Sequence, residues 1–124
     1  MEKQYEQLEG HVESNPYLNC HINGHHFKCR IDTGADISVI PEDVIPIESS
    51  CGKRITINGH KGIPEKIWTK KVKIDIDELG TFAPERGVLS RKGVIGLIGM
   101  DIIRQCELHM VGNVFILNLL KESK

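Results

Sequence analysis

The segment from Leu18 to Ile31 leaves this chain the least freedom in how it folds. Leu18, Cys20 and Ile22 alternate with Asn19 and His21; after Asn23-Gly24 the alternation resumes, with His25, Phe27, Cys29 and Ile31 set against His26, Lys28 and Arg30. A period of two gives each strand one apolar face. Asn and Gly both tolerate positive φ, so Asn23-Gly24 predicts a tight two-residue hairpin turn. The second strand runs directly into Asp32-Thr33-Gly34-Ala35-Asp36, and an apolar segment, Ile37-Ser38-Val39-Ile40, leaves it. A carboxylate is thereby held in a turn at the end of a rigid sheet, which is how a precise site is built.

The rest of the chain reads as a mostly β domain. Twelve glycines, five prolines and many short β-branched runs predict strands joined by turns. Residues 53–77 read as a second hairpin: Ile55 and Ile57 lead into Asn58-Gly59-His60-Lys61-Gly62, and the chain returns through Ile67, Trp68, Val72, Ile74 and Ile76. Trp68 is expected to be an apolar anchor at the base of that hairpin. Val94 to Leu97 is a continuous apolar run, expected of a strand covered on both faces. Gly99 breaks it, and Asp101 is placed to cap one short helix over residues 102–105. Residues 107–110 and 114–117 flank Val111-Gly112-Asn113 as a third hairpin, pairing either within the chain or across a dimer. Residues 1–13 fit a short helical turn. The organisation expected is an N-terminal extension (1–16), one domain (17–118) and a C-terminal tail (119–124).

Charge and cysteine usage exclude several function classes. The 124 residues carry 16 Lys and Arg against 17 Asp and Glu, which gives no electrostatic case for nucleic acid. Lys70, Lys71 and Lys73 read as a solvated strand face. The longest apolar run, Val94 to Met100, is too short to span a bilayer. No secretory signal is visible in the polar N-terminus, and the four cysteines form no Cys-x-x-Cys pair, so a reducing, cytoplasmic location is expected. Cys20, His21, His25, His26 and Cys29 invite a zinc reading. In the hairpin register, however, the cysteines face the core while His21 and His26 face out, so they do not converge on one tetrahedral ion. An exposed His21–His26 pair holds a metal only loosely. No metal site and no cofactor are expected.

Asp32-Thr33-Gly34-Ala35-Asp36, the glycines of a later hairpin, and Leu97-Ile98-Gly99-Met100-Asp101 occur in the order and rough spacing of retropepsins. Over residues 17–118 the chain resembles the retropepsin-like aspartic peptidases of retroviruses, retrotransposons, ubiquitin shuttles and bacteria or phages. The resemblance implies a closed, mostly β acid-protease domain with a short C-terminal helix, working as a symmetric homodimer on a peptide or protein substrate. It implies that Asp32 is the catalytic carboxylate, that Thr33 braces the two loops across the dimer axis, and that Gly34 lets backbone approach the substrate. Ala35, Asp36, Gly59, His60, Gly62, Ile95 and Leu97 would bind substrate, with Gly59, His60 and Gly62 in a mobile flap and Ile95 and Leu97 on a subsite wall. Retroviral members usually carry an arginine, pairing with the second acidic residue of the motif, where this chain has Met100. That departure places it nearer the bacterial, phage and retrotransposon branches.

Aspartic-peptidase chemistry needs two facing carboxylates, and Asp-Thr-Gly occurs here once. Two chains are therefore expected to meet, the Asp32 pair sharing one proton and activating a water. The alternative is a catalytically inactive dimer of the same fold that binds peptides.

Overall fold

The computed structural model describes residues 3–11, 17–58, 60–111 and 114–122. In chain order they form β1 (Lys3–His11), β2 (Tyr17–Ile22), β3 (His25–Ile31), β4 (Val39–Pro41), β5 (Cys51–Asn58), β6 (Pro64–Lys70), β7 (Ile74–Ile76), β8 (Gly80–Phe82), β9 (Leu89–Arg91) and β10 (Gly96–Ile98), then α1 (Met100–Ile103), β11 (Cys106–Val111) and β12 (Val114–Glu122). A seven-stranded sheet runs in the order β8-β7-β2-β3-β10-β4-β9. β5 pairs with β6 as a two-stranded ribbon, and β1-β12-β11 forms a three-stranded sheet.

The hairpin of β2 and β3 has the register its sequence dictates: Ile22 faces His25 across Asn23-Gly24, and His21 faces His26. Asn23 (φ 49°) and Gly24 (φ 79°) both lie in the left-handed region, the mirror-image turn whose twist matches the strands. Leu18, Cys20, Ile22, Phe27 and Cys29 are buried as the alternation predicts. His25, placed on the apolar row, is exposed, although Ile22 opposite it is buried.

These side chains join Ile40, Ile74, Ile76, Leu79, Phe82, Val88, Ile98, Ile102 and Ile103 in one core, to which Phe115 and Leu117 of β12 also belong. Each such aliphatic side chain contributes roughly 1.5–3 kcal/mol on burial. β12 therefore ties the three-stranded sheet to the main one.

Four expectations are corrected. Residues 3–11 are not helical: they pair with 114–122 from Lys3↔Glu122 to His11↔Val114. Ladder hydrogen bonds with β12 supply what a helix without a clear apolar face could not. The second hairpin is confined to residues 51–70, and Ile74–Ile76 instead pairs with β2. Val94 and Ile95 are 38 % and 50 % exposed, and only from Gly96 does the run enter the sheet. Trp68 is 54 % exposed, opposite Arg54 on the outer face of the β5–β6 ribbon, so it anchors nothing at the base. That role falls to Thr69, fully buried, whose hydroxyl meets the Lys53 amide at 2.8 Å, the Lys53 carbonyl at 3.1 Å and the Arg86 carbonyl. The third hairpin forms within the chain, as β11 and β12. Among the described residues no helix is long and apolar enough to cross a membrane.

Candidate active site

Three short strands position the Asp32 loop. β10 lies parallel to β3, with Leu97↔Arg30 and Ile98↔Ile31, and antiparallel to β4, with Leu97↔Val39. The chain leaving β3 must therefore cross the end of β10 to reach β4, and residues 32–38 make that crossing. The loop is pinned to the segment beneath it by backbone bonds: the Asp32 amide donates to the Ile98 carbonyl at 2.9 Å and the Met100 amide to the Ala35 carbonyl at 2.7 Å. Glycine at position 99 makes this approach possible, since a Cβ there would lie 2.6 Å from the Ala35 carbonyl oxygen.

The strongest clamp comes from residues that sequence reading did not assign to the site. Ser38, fully buried, donates its hydroxyl to Asp101 Oδ1 at 2.6 Å and accepts the Gly99 amide at 2.9 Å. Its own amide donates to Asp101 Oδ2 at 2.9 Å. Charge-assisted bonds of this kind are about twice as strong as neutral ones. Asp101 also accepts the Ile102 amide at 2.9 Å, but it lies inside the first turn of α1 (Met100–Ile103), with Gly99 at the N-cap. The helix thus starts two residues earlier than the expected 102–105, and Asp101 holds a loop rather than capping a helix. A small hydroxyl just past the Asp-Thr-Gly turn, with a carboxylate opening the next helix, is the signal that could have paired them.

Within the loop, Asp32 Oδ1 accepts the Gly34 amide at 2.9 Å, and the Asp32 carbonyl accepts the Ala35 amide at 3.2 Å. The turn orients the carboxylate through one oxygen, while Oδ2 has no hydrogen-bond partner among the described residues. Asp32 and Ala35 are half-buried; Thr33, Gly34 and Asp36 are exposed. The loop thus presents one directed carboxylate beside a hydroxyl on an open face.

The other expected site residues are less tightly gathered. Leu97 is half-buried in β10, directly beneath the loop, and Ile95 stands half-exposed just before that strand. His60 and Gly62 lie at the tip of the β5–β6 ribbon, where Lys61 (φ 58°) and Gly62 (φ 73°) adopt left-handed backbone. Gly59 lies outside the described residues. At its base the ribbon is fastened by Lys70↔Val88 and by the Lys53 amide to the Arg86 carbonyl, 3.3 Å. Asp36 forms no ion pair among the described residues. It lines a cavity of about 470 Å³ together with Glu85, Arg86, Arg104 and Gln105, and Arg104 Nε donates to the Met100 carbonyl at 2.9 Å. Met100 packs against the core.

Comparison with known proteins identifies the family and the fold. Residues 12–111 match the family described as retroviral aspartyl protease. Protein DDI1 homolog 2 from Homo sapiens is 25 % identical over 114 residues, covering 82 % of this chain and 27 % of that protein. The Danio rerio protein of the same name is also 25 % identical, with 26 % of its length covered. The chain spans about a quarter of the length of these curated relatives. Among solved structures, a retropepsin-like aspartic protease from Rickettsia conorii superposes with a TM-score of 0.66 at 17 % identity, covering 96 % of this chain and 95 % of that one.

Proposed function

This chain belongs to the retroviral aspartyl protease family, and from that premise we propose that it is an aspartic endopeptidase whose active unit is a homodimer. The observation that carries the reading is the Asp32 loop: one oxygen held by the Gly34 amide, the other without a partner among the described residues, on a crossing clamped from below. A peptide bond is hydrolysed when one carboxylate removes a proton from water while a second, protonated carboxyl polarises the carbonyl oxygen and later supplies the leaving nitrogen with a proton. A single Asp-Thr-Gly supplies half of this pair, so Asp32 of a second copy completes it. Two carboxylates that close share one proton, and their apparent pKa values belong to the pair. Thr33 is proposed to brace the two loops, Gly34, Ala35 and Asp36 to meet the substrate main chain, Ile95 and Leu97 to line a subsite, and the 57–63 tip to close over the peptide.

One observation favours a second reading, a peptide-binding dimer without activity: Asp36 lacks the ion pair that an arginine at position 100 would give it. Cleavage of a mixed peptide library at several pH values, with and without pepstatin and with Asp32→Asn alongside, separates the two. Asparagine keeps an oxygen for the Gly34 amide but removes the ionisable group. Cleavage by the native chain that falls by orders of magnitude in Asp32→Asn, with folding and assembly intact, is the expected result. Near-native turnover in the variant removes Asp32 as catalyst; peptide binding without any cleavage supports the second reading.

A further inference from the structure

We propose that His21 and His26 form a two-histidine site for a transition-metal ion that prefers imidazole, such as Zn²⁺, Cu²⁺ or Ni²⁺. The two rings face each other across the β2–β3 ladder with centroids 5.1 Å apart. Their spacing is the close kind. The Asp77 amide donates to the Asn19 carbonyl, so residues 19 and 21 direct their backbone groups toward β7, and His21–His26 is a non-hydrogen-bonded pair in the β2–β3 ladder. Such pairs bring their side chains closest.

What turns a pair of neighbours into a ligand set is that each ring already has its proton directed away. His21 Nδ1 lies 3.1 Å from Asp77 Oδ1, and a carboxylate only accepts, so Nδ1 carries the hydrogen and the Nε2 lone pair is free. His26 Nε2 lies 3.0 Å from Asn19 Oδ1, so Nε2 donates and the Nδ1 lone pair is free. Carboxylate and amide partners on the far nitrogen are the outer-sphere contacts that orient metal-binding histidines and raise their basicity. Metal–nitrogen bonds of about 2.0–2.1 Å require the two free nitrogens to come within about 4 Å of each other. With the ring centroids 5.1 Å apart, binding requires the two rings to rotate toward each other.

Among the described residues the site has two protein ligands. Asp75 is directly opposite His21 on β7, but its carboxylate is engaged by the Thr81 hydroxyl. Among the described residues no group of three or more His, Cys, Asp or Glu side chains could hold a metal. Water completes the coordination, which keeps affinity moderate, and two imidazoles disfavour Mg²⁺ and Ca²⁺. The ion would clamp the hairpin whose second strand delivers Asp32, so its effect is on the stability of that hairpin.

The test is calorimetric titration of the chelator-treated full chain with Zn²⁺ and Ni²⁺, alongside thermal melts with and without metal. The expected result is one saturable site and a melting temperature that rises with metal concentration. His21→Gln and His26→Gln should each weaken binding at least tenfold and remove the thermal shift. Asp77→Asn, which leaves both ligands in place, should weaken it about tenfold. Cys51→Ser should change nothing. Metal-free melts of the variants confirm that they fold. Absence of a saturable site in the native chain, or binding that persists in the double histidine variant, overturns the proposal.

Discussion

Ser38 shows how much a single buried side chain decides here. Its hydroxyl donates to Asp101 and accepts the Gly99 amide together. Ser38→Ala leaves the buried Gly99 N–H without its partner and takes one bond from Asp101 Oδ1, which keeps the Ile102 amide, and the expected cost is about 1–3 kcal/mol. Denaturant melts measure that loss, and any cleavage activity should fall further than stability alone explains, because the same bonds hold the Asp32 loop. The thiols give a second test at this scale. A side-chain hydrogen bond with Cys20, then burial, drives the Cys29 thiol far above the ordinary range. Burial raises Cys106 from 9.0 to about 11. Cys51 is exposed. Alkylation at pH 8 should therefore modify Cys51 fast and Cys106 slowly, with Cys20 and Cys29 reacting only on unfolding. The sign of the linkage follows. Between pH 9 and 11 the unfolded chain releases the Cys106 proton while the folded one keeps it, so stability is full below pH 9 and falls as pH rises toward 11. Melting temperatures across that range, compared with Cys106→Ala, check the slope.

At the scale of elements, the β5–β6 ribbon is a lever fastened at one end. Its base is a knot of Thr69, Lys53 and Arg86, closed so tightly that a Cβ on Gly52 would lie 2.5 Å from Thr69 Oγ1. Its tip has open space at Gly62. Substitutions at the two ends should therefore separate. Thr69→Val removes the acceptor of the Lys53 amide and the one O–H shared between the Lys53 and Arg86 carbonyls, and should lower stability by about 1–3 kcal/mol. Gly62→Val meets no atoms but must hold φ at 73°, so its expected cost is about 1–2 kcal/mol. If the tip gates the cleft, catalytic efficiency should fall far more for Gly62→Val than its stability loss accounts for. Melts and cleavage kinetics on the same two variants decide, and intact kinetics in Gly62→Val make the tip an ordinary surface turn. The ribbon itself was legible in the sequence from Asn58 to Gly62. Its anchor was assigned to Trp68, because a large aromatic is usually buried. In a two-stranded ribbon one face has no layer over it, and Trp68 falls on that face beside Arg54.

For the whole molecule, the question is how one chain with one Asp32 builds a site. β1 lies along β12 of the same chain, and β11 and β1 are the edges of that sheet. A homodimer of the proposed kind must cover the open face of the Asp32 loop, where Thr33 and Asp36 are exposed. Specific activity should accordingly fall on dilution through the dimer dissociation constant, and mixing native chain with excess Asp32→Asn should suppress activity by forming hybrid dimers. Sedimentation at matched concentrations should show dimer wherever there is activity. A fully active monomer contradicts the shared site.

Local physics was readable from residue order alone. Alternation over Leu18–Ile31, the Asn23-Gly24 turn and the Asp-Thr-Gly loop at the strand's end depend on contacts between near neighbours, which periodicity and turn chemistry report directly. The same order could not show which strands lie side by side. β10 enters between β3 and β4, and Ser38 meets Asp101 across 63 positions, only because the hydrophobic core brings those segments together. The apolar run from Val94 to Leu97 makes the limit plain. Ile95 within it and Ile98 just after it are the same residue type, yet Ile98 is sealed while Ile95 is half in solvent, since burial depends on what lies above a residue rather than on the residue itself. Tertiary packing also set the surroundings of Asp36, which shares a cavity lining with Arg86 and Arg104 from two distant segments, while Met100 packs against the core. Long-range pairing gains its energy only after loop closure has been met, so the sequence records the strands while the folded core decides their order.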